Sequence, residues 1–291
     1  MIDLHIHTTT SDGSDEPTTI LSKAQQLGLK YISITDHDSI GAYEKLKDIW
    51  IGDYFDGRLI PGCEFSAVHN GKPIEILGYG IDLDTISATG MVSDEKFYER
   101  ENTYLKKMLE VCRNLNVKYS DNLSVRGKYF ATQILHADIK KYPENEKHFA
   151  KDIWESLNAF YRTCVNNADS PFFLDQTKDF FTVQEASALI HKAGGKAFLA
   201  HLYGYFAEDH EAFLNSMVCL NALDGVECYH SLHSIEKTKQ LLDYCTEHKL
   251  YASGGSDYHG KLKPTVKMGE SVDAMKIPFD ILRPWLPKNF I

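Results

Sequence analysis

The sequence predicts an α/β barrel interrupted by a helical insertion. Short apolar runs alternate with helix-patterned segments as far as Ile81, and again from Thr182 onward. From Asp94 that alternation stops and long amphipathic segments replace it. A length of 291 residues, with 43% hydrophobic and 25% charged, allows a packed core in one large domain carrying such an insertion.

Ile2 to Ile6 reads as a buried strand. A helix opens at Glu16-Pro17 and puts Ile20, Leu21, Ala24 and Leu27 on one face; Pro17 suits its first turn and Gly28 its end. Tyr31 to Thr35 is the second strand. Ser39 is placed to cap a helix through Tyr43, Leu46 and Trp50. Strands follow around Leu59–Phe65 and Pro73–Ile81. The insertion carries helical patterns over 94–115, 130–141 and 148–167. After it come helix 183–193, ended by Gly194-Gly195, strand 197–200 and helix 210–223. Strand 225–229, helix 234–248 and strand 250–253 complete the pattern. Short connections between such units imply parallel strands covered by helices. The barrel is therefore assigned to 1–93 and 181–291, and a cap-like helical domain to 94–180.

No stretch approaches the ~20 apolar residues of a membrane span. The start, Met1 to His5, shows no basic segment followed by an apolar run, so a cytoplasmic protein is expected. The six cysteines form no CxxC pair and read as free, buried thiols. The net charge of −10 disfavours a nucleic-acid partner. It does not disfavour a phosphate ester, because bound divalent ions dominate the field of a site. No protein partner is implied.

In α/β barrels the chemistry sits at the carboxyl ends of the strands. The candidate ligands fall at or beside such ends: His5 and His7, then Asp36-His37-Asp38, Glu64, Glu75, His201, His230, and Asp257 with His259. His5 and His7 share one strand face because side chains alternate. Alone, that pair reads better as two exposed or hydrogen-bonded histidines than as a metal grip. Asp12-Gly13 is a common turn pair, and a turn can also aim Asp12 at the site. A buried strand ending in Asp36-His37-Asp38 is costly unless its charges are paired or metal-bound. Gly254-Gly255-Ser256-Asp257-Tyr258-His259 repeats that logic, with glycines allowing close backbone approach. His69, His136, His148, His191, His210 and His248 read as surface or structural.

Taken together, His5-x-His7, Ser11-Asp12-Gly13 with Pro17, Ile34-Thr35-Asp36-His37-Asp38, Pro61-Gly62-Cys63-Glu64, Leu77-Gly78-Tyr79, Ala200-His201 and Gly255-Ser256-Asp257-Tyr258-His259-Gly260 resemble the polymerase and histidinol phosphatase (PHP) superfamily. The likeness is to its stand-alone bacterial phosphoesterases with a helical insertion. It implies a distorted seven-stranded barrel holding two or three divalent ions: manganese, iron or zinc, with magnesium admissible. His5, His7, Glu64 and Asp257 would hold one ion. Glu64 would bridge to a second, bound also by His201. Asp12, His37 and His259 would hold the third. Family members carry His where this chain has Glu75, and a carboxylate there suits manganese, iron or magnesium. In the insertion, Arg126-Gly127-Lys128-Tyr129 stands where relatives carry Arg-Pro-His. Arg126, Lys128, Tyr129 and His233 are the candidate substrate contacts.

The expected activity is hydrolysis of phosphate esters of small metabolites by metal-bound hydroxide, with Glu64, Asp257 and His230 as catalytic groups and His230 a candidate general acid. A nucleoside monophosphate or 3′,5′-bisphosphate is the first choice of substrate. A cyclic sugar phosphate diester or histidinol phosphate is the alternative. A nuclease and a non-catalytic binding module are disfavoured.

Overall fold

The computed structural model describes residues 1–90 and 92–286. The chain divides into two compact units, Met1–Ser93 with Phe181–Ile291, and Asp94–Phe180.

Among the described residues, the first unit holds nine strands in two sheets. Strands β1 (Ile2–Ile6), β2 (Tyr31–Ile34) and β3 (Arg58–Leu59) are parallel. Between them lie α1 (Pro17–Gln26), with Pro17 in its first turn, and the short α2 (Gly41–Leu46). The second sheet contains β4 (Gly62–His69), β5 (Lys72–Tyr79), β6 (Phe181–Thr182), β7 (Lys196–Leu199), β8 (Gly225–Tyr229) and β9 (Tyr251–Gly254). Their order is β6-β4-β5-β7-β8-β9. Helix α3 (Leu83–Ser87) follows β5.

Two expectations are corrected. The strands are not all parallel: β4 and β5 form an antiparallel hairpin over Asn70-Gly71, and β5 runs antiparallel to β7. Asn70 and Gly71 both have positive φ, the conformation a tight hairpin turn demands. Nor do seven strands form one closed ladder among the described residues. Single bridges, Ile6 with Tyr258 and His37 with Glu64, join the two sheets instead. The cause lies in the loops after β2 and β9, where Asp38 (φ 44°) and Asp257 (φ 59°) leave extended geometry. The run expected as one strand over Leu59–Phe65 also divides, because Pro61 has no N–H for a ladder.

β1 is buried throughout. Its even residues enter the apolar cores, Ile2 and Leu4 with Tyr79, Phe198 and Trp285, and Ile6 with Ile20, Leu21 and Ile34. Its odd residues, Asp3, His5 and then His7, lie on the other face.

The second unit is helical and has its own core, including Leu105, Met108, Leu135 and Phe160. Helix α4 (Asp94–Asn114) leads to α5 (Ala131–Ile139). The single helix expected over 148–167 is instead α6 (Lys151–Glu155), α7 (Leu157–Phe160) and a π-turn at Tyr161–Val165. Ser156 is extended, and its hydroxyl accepts from the Ala159 N–H, so it caps a new helix rather than continuing the old one.

Back in the first unit, α8 (Val183–Lys192) starts at a capping box, Thr182 with Glu185. Helices α9 (His210–Val218) and α10 (Ile235–His248) follow. All six cysteines are free. No helix among the described residues is long and apolar enough to cross a membrane.

Candidate metal centre

Glu64 lies on β4 with its carboxylate fully buried among imidazoles. Its Oε2 is 3.2 Å from His5 Nε2, 3.3 Å from His7 Nε2 and 3.2 Å from His37 Nδ1. Its Oε1 is 3.1 Å from His201 Nε2. Glu75, across the hairpin on β5, places Oε2 3.1 Å from His201 Nε2 and Oε1 3.5 Å from His37 Nδ1. Asp257 Oδ1 stands 3.3 Å from His7 Nε2 and 3.6 Å from His5 Nε2. Asp12 Oδ1 stands 3.1 Å from His259 Nε2 and 3.5 Å from His7 Nδ1.

Donor atoms close enough to share an ion fall into overlapping sets: His5-His7-Glu64, His37-Glu64-Glu75, His7-Asp12-His37-His259, and His5-His230-Asp257. His7 Nε2 is buried with no hydrogen-bond partner, in reach of two carboxylates. A buried nitrogen facing anionic oxygens is satisfied by a proton or by a cation shared with them. Mixed imidazole and carboxylate donors suit a first-row divalent ion. The residues therefore fit the ions that the family likeness implies.

The imidazole rings of the cluster are held from behind. His5 Nδ1–H donates to Glu227 Oε1 at 2.9 Å, which turns Nε2 toward Glu64 and Asp257. The other Glu227 oxygen accepts from the His201 N–H at 2.8 Å. His259 Nδ1–H donates to the Asp257 carbonyl at 2.9 Å, leaving Nε2 for Asp12. Asp36, expected to orient an imidazole, accepts from the Thr8 N–H and from the Thr8, Thr10 and Ser11 hydroxyls, fixing the loop that carries Asp12. Tyr205 accepts from the Glu75 N–H at 2.9 Å and packs on the His201 ring.

These contacts set the charges. Burial works against a charged His201 ring but is outweighed by Glu64 and Glu75, which raise it to about 10. His7 is raised to about 9, burial being outweighed by Asp257 and Glu64. Asp257 is held well below the usual carboxylate range, burial being outweighed by Lys263 and His259. Burial raises the Asp3 carboxyl to about 6, against hydrogen bonds from Ser256 and the Gly269 N–H.

The structure thus brings His5, His7, Asp12, His37, Glu64, Glu75, His201, His230, Asp257 and His259 into one cluster. His233, expected to touch substrate, is fully buried behind His230 with Nδ1–H on the Cys228 carbonyl. Arg126, Lys128 and Tyr129 belong to the second unit, where the Lys128 ammonium lies over the Phe97 ring and Tyr129 is exposed.

Three features were missed from sequence. Lys263 Nζ is 2.6 Å from Asp257 Oδ2, six residues along an irregular loop. Glu227 sits inside an apolar strand, and only its neighbour His230 hinted at a role. His201 and Asp257 have positive φ, a conformation only local structure reveals.

Gly255 is needed for a different reason. A Cβ there would come within 2.1 Å of the His5 Cβ and 2.3 Å of its N. Gly255→Ala is expected to destabilise the fold by ~3 kcal/mol through overpacking, read as a lower denaturation midpoint.

Residues 3–145 match the family model for the PHP domain. The chain carries a PHP domain. Among curated PHP-like relatives, it is 25% identical over 276 residues to a phosphoribosyl 1,2-cyclic phosphate 1,2-diphosphodiesterase of Eggerthella lenta, covering 94% of this chain and 99% of that one. It is 26% identical over 296 residues to the 5′-3′ exoribonuclease Rnm of Salmonella typhimurium, covering 93% and 88%. It is 25% identical over 272 residues to a 3′,5′-nucleoside bisphosphate phosphatase of Chromobacterium violaceum, covering 89% and 87%. The fold is like that of a candidate metal-dependent phosphoesterase of Bifidobacterium adolescentis, with a TM-score of 0.68 and 22% identity over 97% of this chain and 94% of that one. This PHP protein is a metal-dependent phosphoesterase.

Proposed function

We propose that this phosphoesterase hydrolyses phosphate esters of small ribose-containing metabolites, with a nucleoside 3′,5′-bisphosphate or monophosphate as first choice. The observation that carries the reading is the convergence of four imidazoles on the two oxygens of Glu64, which lets one carboxylate serve two adjoining ion sites. In this reading His5, His7, Glu64 and Asp257 hold one ion, His201, Glu75 and Glu64 a second, and Asp12, His37 and His259 a third. Bound divalent ions supply Lewis acidity and a nucleophile near neutral pH. The chain's own contribution is to fix the ligand rings, through Glu227 for His5 and the Asp257 carbonyl for His259. Lys263 adds a cation beside Asp257, where a phosphate would meet it. Arg126, Lys128 and Tyr129 are proposed substrate contacts.

A second reading, removal of nucleotides from the 5′ end of RNA, is favoured by the likeness to the Salmonella enzyme and opposed by the net charge of −10. A cyclic ribose phosphate diester is favoured by the likeness to the Eggerthella enzyme.

The test is phosphate or nucleotide release by manganese-loaded protein from nucleoside monophosphates, 3′,5′-bisphosphates, cyclic sugar phosphates and a short oligoribonucleotide, each with a chelator control. Chelator-sensitive turnover of the bisphosphate above the rest is expected. Faster turnover of the oligoribonucleotide would replace this reading with the second one.

A further inference from the structure

The histidines of the cluster do not all present the same face. His5 and His259 each spend Nδ1–H on an acceptor, Glu227 and the Asp257 carbonyl, so that Nε2 is the nitrogen left to face an ion. His7 is arranged alike. Its Nδ1 is 3.4 Å from the Ser11 hydroxyl, which itself donates to Asp36 and therefore accepts from the ring.

His230 is the reverse. The Leu232 N–H donates to His230 Nδ1 at 3.0 Å. A backbone N–H can only donate, so Nδ1 holds a lone pair and the neutral ring carries its proton on Nε2. That nitrogen is 3.5 Å from Asp257 Oδ2 and has no hydrogen-bond partner of its own. The ring is fully buried and boxed in by His5, His201 and His233, with centroids at 5.9, 5.3 and 5.2 Å. The turn behind it is closed by His233 N–H on the His230 carbonyl at 3.1 Å, and Ser234 then caps α10. The tautomer is therefore set by main-chain structure.

Proximity alone would group His230 with His5 and Asp257 as an ion-holding set. The Leu232 N–H argues against it, because ligation at Nε2 needs the lone pair that the proton occupies. It argues equally against a general acid, since a second proton has no place on Nδ1. We propose that His230 is neither a metal ligand nor an acid, but a fixed neutral N–H donor that hydrogen-bonds a phosphoryl oxygen of the substrate at the Asp257 corner. This rests on the phosphoesterase reading for its ligand, but not for its tautomer.

The test combines nitrogen-15 spectra of the histidine rings with two variants of the full chain. In metal-free wild-type protein the His230 ring, assigned by its loss in His230→Gln, is expected to show a proton on Nε2 only. A proton on Nδ1, or on both nitrogens, would overturn the proposal. With manganese, metal content per chain is expected to stay at the wild-type value in both His230→Gln and His230→Ala. Loss of an ion in either would make His230 a ligand. Affinity of the manganese-loaded protein for inorganic phosphate is expected to fall ~10-fold in His230→Ala, the scale of a hydrogen bond to a charged group, and to stay within ~3-fold in His230→Gln, which keeps a donor. Unchanged phosphate affinity in His230→Ala would also overturn it. If wild-type protein neither binds phosphate nor turns over any ester, the proposed function fails, while the spectra and metal counts still decide between ligand and donor.

Discussion

Glu64→Gln is expected to lower kcat/KM on the order of 10³-fold and to reduce the number of ions retained per chain, with the fold kept. Both oxygens of this carboxylate are in use, at 3.1 to 3.3 Å from four imidazoles. Glutamine keeps the shape but removes a negative charge and turns one acceptor into an N–H donor. That donor would face imidazole nitrogens arranged to share a cation. Metal ions supply several kcal/mol of transition-state charge stabilisation, and about 1.4 kcal/mol is tenfold in rate, which sets the magnitude. Metal content after dialysis, steady-state turnover and a melting curve, measured on one preparation, check it. Turnover near the wild-type value would overturn the placement of Glu64 at the centre of the site. Glu75→His is a gentler change at the edge of the same cluster, where a nitrogen would replace one oxygen donor beside His201. It is expected to keep the ion count.

Most of the residues that cluster were legible because strands impose a period of two and end where the chain turns toward the site. His5 and His7 on β1, Asp36-His37-Asp38 after β2, and Asp257 and His259 after β9 all follow from that rule. The loss of strand–helix alternation at Asp94 also predicted a helical insertion. The antiparallel hairpin was signalled by Asn70-Gly71 between two alternating runs, but the strand–helix pattern around it suggested parallel pairing and outweighed that signal. The groups behind the ligands were harder to read. Asp3 and Glu227 look like isolated acids inside apolar strands, and only tertiary structure shows that they hold the Ser256 loop and the His5 ring. Lys263 gives no local pattern. The role of His230 was ambiguous because residue identity does not fix a tautomer; the Leu232 N–H does.

The metal-free protein is expected to lose stability as pH rises from about 6.5 to 10, and the manganese-loaded protein to hold it nearly constant over the same range. His7 and His201 are raised in the folded chain to about 9 and about 10, because Glu64, Asp257 and Glu75 outweigh burial. In the unfolded chain a histidine titrates near ~6.5. A group that holds its proton more tightly when folded contributes its full stability below the unfolded value and loses it as pH climbs to the folded one. Without metal, then, the imidazolium rings offset the buried carboxylates, and deprotonation leaves Glu64, Glu75, Asp12 and Asp257 facing one another. Ions remove the slope, since they take the same nitrogens as lone pairs and binding must release those protons. Thermal melts from pH 6 to 10, with chelator and with saturating manganese, together with proton release on metal addition at pH 7.5, check this. Parallel melting curves, or metal uptake without proton release, would mean that the imidazoles are not charged partners of the carboxylates in the metal-free state. The same protons that steady the metal-free centre would then not be what metal displaces.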